Sequence, residues 1–384
     1  MLYLLTLIIL VAPFIIYDSR TTCSKKNYRI YFIILFLISA FNYGLGSDTF
    51  GFVGSDGGYY NIFNQISDLS HLSDSDFDKA TWQPGFVVLF SFFKTIYPNY
   101  LVYQIFHALI INVIIFKFIK KYSTHVALCL FFYCMLNYFD YNFEIQRESF
   151  CIILGLVTFD MLERSDKLKT YIIAIIISIL AFLLLHRSAF VLILYPLLKK
   201  IKINETWIII GGIITLFIQV LWGKYSGIFS TIIDIVSGDI YKDYLTRDFS
   251  GGTSYIYFIR LAIINVIIPY MCIWFSYKSG KSKVLIFAML SIAFECLADF
   301  TFAFHRMYGY FSPFYWIVMT DALIYITKKI RLSKIARCFI ILCVSYYIVY
   351  TYHNVYFVYD DANHQYVYER YFPYKSVLQP SNSY

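Results

Sequence analysis

The sequence predicts an all-α polytopic integral membrane protein of about 12 transmembrane helices plus a re-entrant or interfacial helix near 83–97, and three observations predict it. Of 384 residues, 59% are hydrophobic and only 15% charged, against roughly 25% charge in an ordinary soluble domain. The apolar residues fall into runs close to the ~20 that span a bilayer. Lys and Arg outnumber Asp and Glu by 32 to 24, but they sit in short clusters between those runs, where they report topology rather than nucleic-acid binding.

Taken in order, 1–17 reads as the first span. It has no basic residues ahead of it and runs into Asp18 and Arg20 without a small-residue cleavage site, unlike a signal peptide. Further spans are expected at 29–46, 99–119, 124–141, 148–163, 170–185, 187–198, 203–222, 254–277, 283–300, 306–327 and 335–351. The stretch 187–198 is short and reads as a broken or half helix. Residues 83–97 are apolar but too short to cross, and counting them as a span would put Lys117, Lys120 and Lys121 opposite every other basic cluster. Pro84, suited to a first helical turn, starts this helix.

With the N-terminus outside, the basic clusters at 18–29, 117–123, 163–169, 199–202, 278–283 and 328–334 all fall on the cytoplasmic side. Residues 1–384 then form a single membrane domain. Two extracytoplasmic loops, 47–82 and 223–253, and a Tyr-rich extracytoplasmic tail, 352–384, carry its longest polar stretches, and long loops of this kind are commonly functional. Seven of the cysteines lie in apolar segments and no CxxC occurs, so they read as small packing residues rather than zinc or redox ligands.

Four groups on the extracytoplasmic side are suited to chemistry. In Gly54-Ser55-Asp56-Gly57-Gly58-Tyr59-Tyr60, glycines allow close backbone approach and Tyr59 and Tyr60 offer faces for sugar rings, although a surface turn with a solvated aspartate has the same composition. In Glu144-Ile145-Gln146-Arg147-Glu148, Arg147 either pairs with Glu144 one turn back or acts as an anion clamp. A permanent cation facing a bundle interior costs about 2.5 to 3.5 kcal/mol on insertion scales and commonly marks a ligand path. In Leu185-His186-Arg187-Ser188-Ala189, His186 has the pKa to accept a hydroxyl proton and Arg187 holds charge at any pH; the plain alternative is a hydrated helix–helix turn. The fourth group is His305-Arg306, with Asp299 upstream and Tyr308 and Tyr310 beyond, or else an ordinary interfacial arginine. Three His or Arg groups on one face describe a pocket for a strongly anionic group at the bilayer surface, for which arginine's planar fork is the fitting donor. His107, His125, Asn112, Asn265 and Gln219 read instead as helix–helix hydrogen-bond partners.

In this pattern the chain resembles the EpsG-like branch of the Wzy polymerases of bacterial O-antigen and exopolysaccharide. The matching elements are Gly54-Ser55-Asp56 with Tyr59 and Phe63, Gln83-Pro84-Gly85-Phe86, Gln146-Arg147-Glu148-Ser149-Phe150, His186-Arg187-Ser188-Ala189, Arg306 before Tyr308, Tyr310 and Phe311, and Pro373-Tyr374-Lys375-Ser376. The chain departs from the family in carrying Gln83 where Glu is usual, which removes a carboxylate, and in having no arginine in 41–53. The resemblance implies a glycosyltransferase at the outer face of the bacterial inner membrane, using neither metal nor other cofactor. It would transfer a glycan from undecaprenyl diphosphate onto a second lipid-linked oligosaccharide. Arg147, Arg187 and Arg306 would hold the diphosphate, His186 or Asp56 would be the base, and Tyr59, Tyr60, Gln83, Glu144, His305 and Tyr308 would contact substrate. Implied partners are membrane lipid and the pathway's chain-length regulator and flippase, with no nucleic acid. A polysaccharide ligase uses the same chemistry on another acceptor. A flippase of the same substrate would be expected to show repeated halves and charge along a pore. A membrane acyltransferase would need a His/Asp pair on the cytoplasmic side, where none is found.

Overall fold

A computed structural model describes residues 2–16, 24–43, 45–50, 58–80, 83–219, 262–280, 283–298, 302–360, 365–369, 374 and 376–378. The helices are α1 (Leu2–Ile16), α2 (Lys25–Ala40), α3 (Ser47–Phe50), α4 (Tyr59–Gln65), α5 (Asp74–Ala80), α6 (Pro84–Ile96), α7 (Tyr100–Tyr122), α8 (Val126–Leu136), α9 (Gln146–Arg164), α10 (Leu168–Leu184), α11 (Leu194–Leu198), α12 (Glu205–Gln219), α13 (Ile268–Lys278), α14 (Leu285–Ala298), α15 (Phe302–Ile330) and α16 (Lys334–Tyr356). The fold is helical and apolar, as expected. Among the described residues one helix, α7, is long and apolar enough to cross a bilayer, and eight further apolar stretches run only 10–17 residues. Twelve crossings are therefore not shown, because the chain interrupts its apolar runs. A π turn at Asp140–Glu144 precedes α9, a 3-10 segment at Arg187–Ile193 breaks the stretch expected to be a half helix, and another π turn, Ala262–Ile267, precedes α13. The loop 47–82 carries three short helices, and the tail adds an antiparallel hairpin of β1 (Phe357–Asp360) and β2 (Gln365–Glu369), built from the Tyr/Val-rich sequence that suits a strand. The loop 223–253 and Asp299 lie outside the described residues.

Contacts gather into two units, Met1–Phe190 with Leu332–Tyr384, and Val191–Arg331. In the first, α2 packs on α7, α7 on α9, α9 on α10, and α1 on α8 and α16. Side chains start these helices: Ser24 caps α2 by accepting the Asn27 N–H at 3.1 Å, Asn99 caps α7 by accepting the Leu101 N–H at 2.9 Å, and His125 Nδ1 caps α8 by accepting the Leu128 N–H at 3.1 Å. On α10 the small residues Thr170, Ala174, Ser178 and Ala181 are buried while Ile172, Ile176, Ile179 and Leu183 are exposed. Small residues inward and large apolar residues outward is the pattern of a helix packed against protein and bathed in lipid.

The centre of this unit is polar and carries a linked set of hydrogen bonds. Asn112 Nδ2 on α7 lies within 2.8 Å of Ala108 O, 3.1 Å of Ser39 Oγ and 3.1 Å of Asn142 Oδ1 in the π turn. Asn142 in turn donates to Tyr133 OH at 2.9 Å and Tyr138 O at 2.8 Å, and Gln104 donates to the carbonyls of Ala40 and Asn42 at 2.8 and 2.9 Å. Asn112 is thus a helix-packing partner, as its sequence context predicts. Cys129, Cys134, Cys151 and Cys296 are buried thiols.

In the second unit α14 and α15 pack along their lengths with α13 against both. Phe287, Phe311, Phe314 and Tyr195 stack at its core, and Tyr195 OH donates to Tyr310 O at 2.8 Å.

In the 47–82 loop, Asp76 ties two strands of chain together. Its carboxylate accepts the N–H and hydroxyl of Ser67, both at 3.1 Å, and those of Ser73 at 3.0 and 3.1 Å, the latter capping α5. Burial raises the Asp76 pKa, but these four bonds outweigh it and hold it at about 2. Because an unfolded Asp titrates near ~3.9, the loop has its full support above about pH 4 and loses it as the pH falls toward 2. Hydrogen exchange of residues 66–77 should therefore accelerate across that window, and Asp76→Asn should show fast exchange already at pH 6; exchange indifferent to both would remove Asp76 as the tie.

Candidate active site

The helices of the first unit bring one set of ends together, and the sequence chooses which. The π turn closes with the Ile145 N–H on Asp140 O at 3.0 Å, and α9 starts immediately after it. This puts Gln146, Arg147, Glu148 and Ser149 in the first turn of α9, beside the N-terminal end of α7. Tyr100 OH donates to Gln146 Oε1 at 2.8 Å, and His107 Nε2 lies 2.9 Å from Ser149 Oγ. At the far ends of the same two helices, Lys121, Tyr122 and Arg164 gather on Asp160. The two helices therefore run parallel, with the basic cluster roughly 20 Å from Arg147 along α9.

Arg147 is half-buried. Its Nη1 donates to Gln83 Oε1 at 3.2 Å, and its backbone N–H faces Tyr59 OH at 3.5 Å. Three packing devices fix those partners. Pro84 starts α6 directly after Gln83. Gly85 lies so close to α10 that a Cβ there would be 2.7 Å from Leu184 O. Lys94 on α6 donates to the carbonyls of Phe63, Asn64 and Ile66, holding the end of α4, and the rings of Phe63, Phe86, Phe90 and Tyr103 seat both helices on α7. Burial raises the Tyr59 phenol above its ordinary pKa and Arg147 acts against that shift, so Tyr59 remains a neutral hydroxyl. Tyr59 is buried with its ring tilted on Phe86, and it props Arg147 rather than offering a face to a sugar; Tyr60 next to it is exposed, with its ring edge-on to Tyr100.

Glu144 accepts the Asp48 N–H at 2.8 Å, which anchors α3 to the π turn. In the same tie, Thr49 OH donates to Phe143 O and Gln146 Nε2 donates to Thr49 Oγ1 at 2.9 Å. Glu144 therefore has a structural duty apart from the substrate contact expected of it.

On the other side of Arg147, Glu148 is 1% exposed and its Oε1 accepts the Ser188 hydroxyl at 3.2 Å. Ser188 Oγ lies 2.6 Å from His186 Nδ1, and the Ser188 N–H faces the same nitrogen at 3.2 Å. His186 and Arg147 are thus carried by residues adjoining one bonded pair, Glu148 and Ser188, although they are 39 positions apart in sequence. Arg187 points out: it is exposed and makes no hydrogen bond among the described residues. Its chain position is beside the site, but its guanidinium is not part of a buried clamp. His305, Arg306 and Tyr308 belong to the second unit, where Tyr308 is buried with its ring stacked on His305 at 6.0 Å. Asp56 lies outside the described residues.

Sequence reasoning found Gln83, Arg147 and His186 but not Glu148 and Ser188 as a working pair. Their signal was present, since each lies one or two residues from a predicted site residue, but a carboxylate after an arginine reads first as its local counter-charge.

A family model, that of the EpsG family, matches residues 25–376. No curated protein and no solved structure matches the chain.

Proposed function

The chain belongs to the EpsG family, a membership that carries a membrane-associated, polysaccharide-polymerase-like function of glycosyltransferase character, and on that premise we propose that it joins lipid-linked oligosaccharides at the extracytoplasmic face of the bacterial inner membrane. The observation that carries this reading is the arrangement around Arg147: a guanidinium braced by Gln83, on a residue whose backbone N–H faces Tyr59 OH, at the first turn of α9, with a histidine supported from the same turn.

In the proposed reaction a sugar hydroxyl of the acceptor attacks the anomeric carbon of the donor glycan. The bond from that carbon to undecaprenyl diphosphate breaks, and its electron pair leaves on the diphosphate oxygen. The hydroxyl proton passes to a base, His186 or Asp56. Charge grows on the leaving diphosphate as the bond breaks, so a cation fixed there stabilises the transition state more than the ground state. Arg147 is the first such cation, with the α9 N-terminus adding its dipole, and Arg187 is a further candidate. An exposed Arg187 suits a first encounter with the lipid-linked anion at the membrane surface. The reaction is proposed without a resident metal, and twelve crossings with a multi-pass topology remain part of the proposal.

Deletion and complementation in the native host test it, read as glycan length on a gel. Loss of the protein should leave carriers capped with single repeats, and re-expression should restore long polymer. Complete absence of surface glycan would replace the reading with a flippase, and long polymer left unattached to its acceptor would replace it with a ligase.

A further inference from the structure

Which nitrogen of His186 carries its hydrogen is settled by a backbone group. The Ser188 N–H donates to Nδ1 at 3.2 Å, and a backbone amide only donates, so Nδ1 is an acceptor and bears the lone pair. The contact is a cap. His186 stands immediately before the 3-10 segment Arg187–Ile193 and takes the N–H two residues on, much as His125 Nδ1 takes the Leu128 N–H at the start of α8. The Ser188 hydroxyl, 2.6 Å from Nδ1 and 3.2 Å from Glu148 Oε1, shares its one hydrogen between two acceptors and adds to the hold on the same lone pair. A neutral imidazole with its lone pair on Nδ1 has its hydrogen on Nε2. His186 therefore offers a donor at Nε2, and its basic nitrogen is engaged, since a proton added at Nδ1 would point at the Ser188 amide hydrogen.

We infer that His186 is a neutral hydrogen-bond donor to the leaving diphosphate through Nε2–H, and not the base of the reaction. The inference rests on the polymerase reading and chooses between the two bases that reading names. An attacking sugar hydroxyl has to give up its hydrogen, and an N–H has nothing with which to accept it. The diphosphate is the converse: it brings oxygens without hydrogens, and negative charge that grows as the bond to the anomeric carbon breaks. A fixed donor beside it strengthens as the reaction proceeds, and more so from a buried ring than from one in water. Arg147 precedes Glu148 and His186 lies two residues before Ser188, so the Glu148–Ser188 contact carries a permanent cation on one side and a neutral donor on the other. No proton changes hands at His186. The hydroxyl proton goes to the Asp56 carboxylate as the hydroxyl oxygen bonds the anomeric carbon, and the electron pair of the broken bond departs on the diphosphate.

The test uses the full-length protein in lipid nanodiscs, with undecaprenyl-diphosphate-linked repeats from its own host and with kcat and KM measured separately. NMR of isotope-labelled histidine nitrogens, with His186 assigned by its loss in a variant, should place the ring hydrogen on Nε2 near neutral pH. A hydrogen on Nδ1 would overturn the inference whatever the kinetics. His186→Ala should lower kcat by about 10²-fold with KM within about 3-fold, the scale for one donor lost from a developing oxyanion. His186→Gln puts an amide N–H where Nε2–H stood; it should recover kcat to within about 10-fold of the wild type and keep the wild-type pH profile. His186→Asn keeps an acceptor for the Ser188 N–H but not the reach of Nε2, so it should hold the thermal midpoint and lose as much rate as His186→Ala. A base has no amide substitute, and its removal costs about 10² to 10⁴. A Gln variant as slow as the Ala variant, or one that has lost the acidic limb of the pH profile, would therefore make His186 the base after all. A rise in KM with kcat unchanged would make it a ground-state contact and equally end the proposed role. If the wild-type protein itself fails to elongate the repeats, the polymerase reading falls and takes this role with it, while the position of the ring hydrogen is read independently.

Discussion

Replacing Arg147 by Ala is expected to leave the protein in the membrane at its normal level and to slow chain elongation by about 10³-fold, the scale on which enzymes lose rate when a fixed cation or donor on a leaving anion is removed. The side chain is half-buried, and its Gln83 partner is half-exposed and open to rehydration, so the fold has little to lose. Arg147→Lys keeps the charge but not the planar fork that binds Gln83 and an anion together, and it should fall between the two, losing about 10- to 100-fold. The measurement is release of labelled undecaprenyl diphosphate from a lipid-linked repeat, alongside glycan length in cells. Long polymer from cells carrying only the Ala variant would end the proposed role of this residue.

A comparable effect is expected from one methyl group at Gly85. A Cβ there would lie 2.7 Å from Leu184 O and 2.8 Å from Leu184 Cβ, and the first of these is backbone that has no side-chain freedom to yield. Overpacking of this kind costs about 1 to 3 kcal/mol. More important is what sits on either side: Gln83 is two residues before Gly85 and His186 two residues after Leu184. Pushing α6 off α10 therefore separates Arg147's brace from the histidine, and a misplacement near 1 Å is worth about 10²-fold in rate. Gly85→Ala should accordingly lower both the thermal midpoint and the elongation rate, and Gly85→Val should abolish the latter. A Gly85→Ala protein with wild-type midpoint and rate would show that the contact is slack.

Much of the helical course was legible because apolar run length and basic clusters need no three-dimensional information. Pro84 marked the start of α6, and the polar interruption at His186 marked the break before the 3-10 segment. The turns inside the runs were not legible. Nothing in Asp140–Glu144 announces a π turn, because the extra residue is fixed by where Asn142 and Glu144 find partners on α7, α8 and α3. The Tyr59 and Tyr60 pair shows the same limit: two identical side chains, of which one is buried as a prop and the other exposed, and helix rotation alone decides between them. Arg187 was expected in a clamp because its neighbours in sequence are polar. The 3-10 geometry sends Ser188 toward Glu148 and Arg187 the other way. Gly85 stood in a motif, but its reason, a backbone carbonyl from a helix 99 residues later, is a tertiary fact.

Asn112 has two amide hydrogens for three oxygens on α2, α7 and the π turn. Rotating α7 by a single residue, about 100°, would turn that amide into hydrocarbon and strand its partners, each at a cost of several kcal/mol. The bundle is thereby indexed like a keyed shaft. The bearing of Arg147, five residues beyond Asn142, is set from a side chain midway along a neighbouring helix, so a change at Asn112 would be felt as a mis-aimed guanidinium long before it was felt as unfolding.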